Sequence, residues 1–334
     1  HATHHDKGKY PALYYTYWSM TLLLLGVFSF FGLHTLAWLP RSFHAYRERK
    51  KRRETEGETR YYIQRFTRSQ RFTHLLVIVS FLSLALTGMM LKFSSMPWAG
   101  FVADLLGGVR VAGVIHRTAA VVTFGYFAFH LVMLARHKRQ RRLSLRELTL
   151  GRNSMMPNLK DLKDFVGTVQ WFFGRGPRPQ FDRWTYWEKF DYLAVFWGVA
   201  MIGFSGLMLW FPEFFTRFLP GWFINVATII HSDEALLAVG FIFTIHFFNT
   251  HLRPEAFPMD TVVFTGVSPL EDYKHDRPAE YAEMRASGEL GKRVVRRTIS
   301  REKEIAIRVM GYLFLSTGLV IIGLIIYSVL FGYK

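Results

Sequence analysis

Six long apolar stretches run along this chain, and strongly basic segments alternate with nearly uncharged ones between them. A helix needs about 20 apolar residues to cross the hydrocarbon core of a bilayer. The pattern predicts six spans, at Tyr17–Leu39, Phe72–Leu91, Val111–Ala135, Tyr192–Phe211, Val226–Phe248 and Ile305–Phe331. Arg41, Arg47, Arg49, Lys50, Lys51, Arg52 and Arg53 follow span 1, and Arg136, Lys138, Arg139, Arg141, Arg142 and Arg146 follow span 3. Arg253, Lys292, Arg293, Arg296 and Arg297 follow span 5. The other two connections carry only Lys92 and Arg110 after span 2 and Arg217 after span 4. Positive loops stay on the cytoplasmic side, so both termini are expected outside. Leu159–Phe173 is amphipathic at helical spacing and is expected to lie along the inner surface. Tyr10, Tyr14, Tyr15, Tyr17 and Trp18 form an aromatic belt at the outer end of span 1.

Composition agrees with a membrane protein: half of the residues are hydrophobic and 17% are aromatic. A net charge of +17 on a soluble protein would suggest nucleic acid. Here the charge sits between spans, where it meets anionic lipid headgroups, and no groove-reading motif accompanies it. The chain contains no cysteine, which excludes disulfides, thiolate-ligated metal and covalent CxxCH haem attachment within it. It opens on His1 rather than Met, which suggests that something upstream was removed or is absent. The first apolar run is too long for a cleavable signal and lacks a small-residue cleavage site.

Spans 2–3 and 4–5 read as two copies of one hairpin. Thr87-Gly88-Met89-Met90-Leu91 ends span 2 and Ser205-Gly206-Leu207-Met208-Leu209 ends span 4. Ile115-His116 opens span 3 and Ile230-His231 opens span 5; Gly125 and Gly240 follow these histidines by nine residues. His130 then follows His116 by 14 positions, and His246 follows His231 by 15. Fourteen residues of helix rise about 21 Å and rotate about 320° beyond whole turns, so both imidazoles face nearly the same way near opposite membrane surfaces. Two such hairpins make a four-helix bundle with a pseudo-two-fold axis along the membrane normal. Paired intramembrane imidazoles at matching depths suit two b-type haems, each six-coordinate and therefore biased to electron transfer. The mid-span glycines are expected to leave room for a flat macrocycle. A single intramembrane histidine is often just a helix–helix hydrogen-bond partner, but two pairs in duplicated hairpins need more explanation than that.

These residues carry a family resemblance. Gln70-Arg71-Phe72-Thr73-His74 at the start of span 2, His116, His231 and His246 resemble the cytochrome b (gamma) subunit of membrane formate dehydrogenases, nickel–iron hydrogenases and thiosulfate reductases. Trp187-Glu188-Lys189-Phe190 and Leu209-Trp210-Phe211-Pro212 are similar to that family's third span. His231-Ser232-Asp233-Glu234-Ala235-Leu236-Leu237 and the stretch from Asn249 to Asp260 resemble the bacterial cytochrome b proteins that partner multihaem c-type cytochromes. The likeness covers about Arg65–Arg253, which is the di-haem four-helix bundle. Residues 1–64, 254–304 and 305–334 flank it as an outer tail with span 1 and a basic loop, a cytoplasmic loop, and span 6.

The resemblance implies a bacterial inner-membrane protein with periplasmic termini. His116 and His231 would hold an outer haem, and His74 and His246 an inner one. Spacing alone offers His130 in place of His74, and that choice stays open; a third haem would use His34 and the unused inner histidine. Arg117 is a candidate partner for a haem propionate. Glu188, His251 and Arg253 are candidate contacts for a quinone or menaquinone near the inner haem, Glu188 also as a proton carrier. Asp233 and Glu234 suit either a second proton site or local hydrogen bonding. His1, His4 and His5 are within reach of a partner's haem, although a disordered tail is the plainer reading. The implied partner is a periplasmic c-type cytochrome or oxidoreductase subunit, besides lipid and quinone. Two rival readings are a repeat-built proton-coupled transporter, with helices broken by Gly or Pro around a midplane site, and a structural anchor subunit without redox role.

Overall fold

The computed structural model describes residues 4–56, 61–254, 256, 257, 259–296 and 300–332, with backbone alone at 52, 53, 55 and 56. His1, Glu255, Pro258, Arg297 and the side chains of Arg52 and Arg53 lie outside the described residues. The chain is an all-α membrane protein in its bulk, with six helices long and apolar enough to span a bilayer. They are Pro11–Glu56, Arg68–Lys92, Val109–Gln140, Tyr186–Trp210, Trp222–Leu252 and Arg301–Phe331, called spans 1 to 6 below. Their ends follow local chemistry. Thr67 caps span 2 in a box with Gln70, Thr185 caps span 4 in a box with Glu188, and Ser300 caps span 6. Span 1 continues well past its apolar stretch, through Pro40, because the Arg, Lys and Glu residues that follow are good helix formers. The amphipathic segment forms the helix Leu159–Phe172, capped by Asn158.

Spans 4 and 5 are not regular throughout. Span 4 widens into a π-turn at Val199–Gly203, and span 5 does so at Ile242–His246 and again at Phe248–Leu252. A π-turn accommodates one more residue than an α-turn. The turn at Ile242–His246 therefore absorbs the extra residue that separates the spacing His231–His246 from His116–His130. Both helices remain continuous through these turns.

Span 5 is the central element. Span 2 packs along span 3, span 4 packs on span 5, and span 1 and span 6 flank span 5. A dry core of Ala85, Met89, Val239, Phe243, Ile321 and Ile325 joins spans 2, 5 and 6. Phe243 and Phe247 press on Gly318 of span 6, where a Cβ would come within 2.7 Å of either ring. Trp98 donates its indole N–H to Ser328 Oγ at 2.8 Å and ties the far end of span 6 to the short helix Pro97–Leu105. Span 1 docks through Phe28 and Phe31. The Phe28 ring occupies the space over Gly240, 2.5 Å from where a Cβ would lie. Gly240 is therefore small to admit a neighbouring helix rather than a macrocycle, which corrects the expectation from its position. Gly125 has nothing within 4 Å of its Cβ direction.

The basic loops are built into a cap at one end of the bundle. Tyr61–Gln64 (β1) forms the centre of a three-stranded antiparallel sheet between Val267–Pro269 (β2) and Val294–Arg296 (β3). The register pairs Ile63 with Ser268 on one side and Val294 on the other. Ile63 is 1% exposed and packs with Tyr273 and Met284 in a core of the cap's own. Burial, then the neighbouring Glu280 carboxylate, pushes the Tyr273 phenol up, so it stays neutral and donates to Glu280. The described residues 259–296 thus form a folded element joined through β1 to the loop after span 1.

Gly240→Ala should overpack the span 1–span 5 contact and destabilise the protein by about 1–3 kcal/mol. Thermal unfolding in detergent should show a lower midpoint, and adding Phe28→Ala should recover part of it. A single mutant with an unchanged midpoint would refute the close approach.

Candidate functional site

The repeated motif residues meet in the bundle. His116 and His231 face each other with ring centroids 6.2 Å apart and planes at 67°. Each imidazole is held by the span before its own. Thr87 Oγ1 donates to the Ser83 carbonyl at 2.6 Å, so at 2.9 Å it accepts from His116 Nδ1–H. In the second hairpin, Ser205 Oγ donates to the Met201 carbonyl at 2.6 Å, and His231 Nδ1–H donates to the Ile202 carbonyl at 3.0 Å. Both imidazoles are therefore protonated at Nδ1, which leaves the Nε2 lone pair open. The motif glycines lie alongside: a Cβ on Gly88 would sit 3.5 Å from His116 Cε1, and one on Gly206 would sit 3.0 Å from His231 Cε1.

Toward the cap, His246 is held in the same way, with Nδ1 2.8 Å from Asp191 Oδ2 on span 4. His74 lies within electrostatic reach of His246, and His251 within reach of both. The consecutive π-turns bring His246 and His251 to one side of span 5. His251 Nδ1 is buried with no hydrogen-bond partner, as is Asn249 Oδ1 two residues earlier. His130 and His34 are engaged through the opposite ring nitrogen. His130 Nε2 shares a 2.8 Å hydrogen bond with the Tyr192 hydroxyl, and His34 Nε2 shares one of 2.5 Å with Tyr186. His34 is further enclosed by Trp38, Phe165 and Phe172.

The charged candidates have defined partners. Arg117 lies over the Trp210 ring at 5.7 Å. Arg253 lies over Trp38 at 4.9 Å. Glu188 accepts from the Thr185 backbone and hydroxyl and from Arg277 at 3.0 Å, with Arg65 at 3.6 Å. Burial works against the Arg65 charge, but the acidic groups of Glu188, Tyr273, Asp260 and Glu280 outweigh it and raise its pKa. Lys189 pairs with Asp161 at 2.9 Å rather than with its neighbour Glu188. At the far end, Asp233 pairs with Lys92 at 3.0 Å, and Glu234 accepts from Trp197 Nε1 at 2.7 Å. His4 stacks on Tyr17 and meets the His5 ring at a tilt of 45°.

Among the described residues no group of three or more metal-binding side chains occurs. The facing rings of His116 and His231 offer two donors, a number that suits a metal already held by a macrocycle. Residue reading missed Asp191, Tyr192 and Tyr186 as partners of the histidines. The signal for Asp191 was a carboxylate one residue before an apolar run, and intramembrane carboxylates call for a partner. Comparison with protein-family models and with curated proteins gave no match to this chain.

Glu188→Gln should leave Arg277 and Arg65 without their carboxylate and destabilise the cap by about 3 kcal/mol. Limited proteolysis between residues 254 and 304 should quicken accordingly. Unchanged proteolysis would mean that Glu188 is free to serve another role.

Proposed function

We propose that this chain is a membrane di-haem cytochrome b that carries electrons across the bilayer between the quinone pool and a periplasmic redox partner. That partner is a multihaem c-type cytochrome or a subunit of a respiratory oxidoreductase, as the resemblance implies. The single observation that carries the reading is the facing pair His116 and His231, each tied through Nδ1 to the preceding span, His116 to the Thr87 hydroxyl and His231 to the Ile202 carbonyl, with Gly88 and Gly206 alongside. Two imidazoles that bind one metal atom through bonds of about 2 Å would have ring centroids about 6 Å apart, close to the separation of His116 and His231. A second hydrogen bond at Nδ1 is what metal-bound histidines characteristically make.

His116 and His231 would hold the outer haem, and His74 and His246 the inner one. His246 supports this through its Asp191 bond, and His130 is the weaker fourth ligand because its Nε2 meets Tyr192. Bound haem would supply one-electron chemistry, and ligation by two imidazoles would favour transfer over oxygen binding. Thr87, Ile202 and Asp191 fix the tautomers, and Gly88 and Gly206 leave the imidazoles their space. Of the residues expected near quinone, Glu188 acts as cap and ion-pair partner, while His251 keeps an open buried nitrogen for a hydrogen bond. A transporter would need helices broken around a midplane site; spans 4 and 5 carry π-turns but no break. A purely structural anchor leaves the paired Nδ1 bonds without a purpose.

The purified protein should show b-type haem in a reduced-minus-oxidised spectrum, with two haems per chain by pyridine haemochrome. Absence of haem sinks the reading, and a count near three brings back His34 and His130. His74→Ala should lose the inner haem signal whereas His130→Ala should keep both, and Thr87→Val should weaken outer-haem retention about tenfold or more. Orientation can be tested cleanly because the chain has no cysteine. In intact spheroplasts an impermeant maleimide should label Lys7→Cys and spare Ser287→Cys; the reverse pattern inverts the topology.

A further inference from the structure

Six side chains of Asp, Glu, Lys or Arg are buried among the described residues: Asp161, Asp182, Lys189, Glu234, Arg277 and Glu280. Five of them touch an opposite charge. Asp161 and Lys189 meet at 2.9 Å, Asp182 meets Arg152 at 2.7 Å, Arg277 meets Glu188 at 3.0 Å and Glu280 meets Arg293 at 3.1 Å. Glu234 of span 5 is the exception. It is 3% exposed, its Oε1 accepts the Trp197 indole N–H at 2.7 Å, and its Oε2 is buried without a hydrogen-bond partner.

The charges around it are already matched or lie elsewhere. Its neighbour Asp233 pairs with Lys92 of span 2 at 3.0 Å, and His4 lies within electrostatic reach of that aspartate. His231, one turn before Glu234, gives its Nδ1–H to the Ile202 carbonyl of span 4. Span 3 brings His116 and Arg117 to the same end, where Arg117 lies over Trp210. Toward the cap, span 5 next carries His246, which Asp191 of span 4 holds. Span 1 has no Asp, Glu, Lys or Arg between Lys9 and Arg41, and span 6 has none between Arg308 and Lys334. An ionised carboxylate without a counter-charge is strongly disfavoured in such an interior, whereas the neutral acid is tolerated.

We propose that Glu234 is a proton-binding site inside the bundle, a carboxyl that is neutral at rest and exchanges its proton with the solvent. The carboxylate takes up one proton to become the acid and gives the same proton back, so the bundle changes its charge by one unit and no ion pair has to break. Asp233, tied to Lys92, is by contrast a structural ion pair. The site stands apart from the cytochrome reading. Under that reading it is where a proton offsets the charge of an electron at the far end of the bundle.

Infrared spectra of the full-length protein in an ester-free detergent test this, because a protonated carboxyl has a C=O stretch apart from the carboxylate bands. At neutral pH the protein should show such a band. It should shift down in D2O as the acidic hydrogen exchanges, and fade reversibly as the medium is made alkaline. Glu234→Gln, which keeps an oxygen for Trp197, should remove the band entirely. Trp197→Phe should keep the band and move it to higher frequency, since the carboxyl loses the indole hydrogen bond. That second variant leaves the acid in place and so carries the test even where Glu234→Gln folds poorly. No band at neutral pH, a band that survives Glu234→Gln, or one that neither exchanges nor fades overturns the proposal. Haem content is read from the same samples. The band is expected whatever that content, so its absence rejects this site alone and leaves the cytochrome reading to its own test.

Discussion

The bundle depends on imidazoles that are gripped from behind. In His116, His231 and His246 the Nδ1 hydrogen is taken by an oxygen of another span: a threonine hydroxyl, a backbone carbonyl and a carboxylate. An imidazole left to itself in an apolar interior would keep a costly unsatisfied donor and would turn between rotamers. Gripped, it presents one nitrogen in one direction. The hairpin pairing, the motif glycines and the irregular turns of span 5 all serve to bring the grip and the ring into register.

Those irregular turns have a geometric reason. On a regular helix, 15 residues would carry the second histidine about 60° past the azimuth of the first, where 14 leave it about 40° short. The π-turn at Ile242–His246 takes up the difference, and the next one at Phe248–Leu252 keeps His251 near His246. Span 3, with the shorter spacing, has no such turn. Its second histidine meets Tyr192 instead of a carboxylate, so the two hairpins agree at one end and diverge at the other.

The spans, their order and the amphipathic helix Leu159–Phe172 were legible because each rests on a strong local pattern of hydropathy or helical period. The facing of His116 and His231 was legible because the Thr-Gly and Ser-Gly motifs repeat. The helix ends were not, since Arg47 to Glu54 extend span 1 by propensity where hydropathy stops. Neither was the sheet: strands of three and four residues have no readable period, and their pairing spans some 200 positions between Ile63 and Ser268. Gly240 shows the limit most clearly. A glycine marks close approach, but only the fold reveals that Phe28 is what approaches.

The sheet of the cap also has a consequence for how the protein is made. β1 leaves the ribosome before span 2, while β2 and β3 follow only after span 5 has been synthesised. Arg65 and Glu188 likewise precede Arg277, the nearer of that carboxylate's two arginine partners. Through most of insertion, therefore, the nascent chain shows an open strand edge and uncompensated charges, features that chaperones and proteases recognise. Closure of the sheet marks the moment at which all but the last span has been delivered, so a truncated product would carry its own signal for removal.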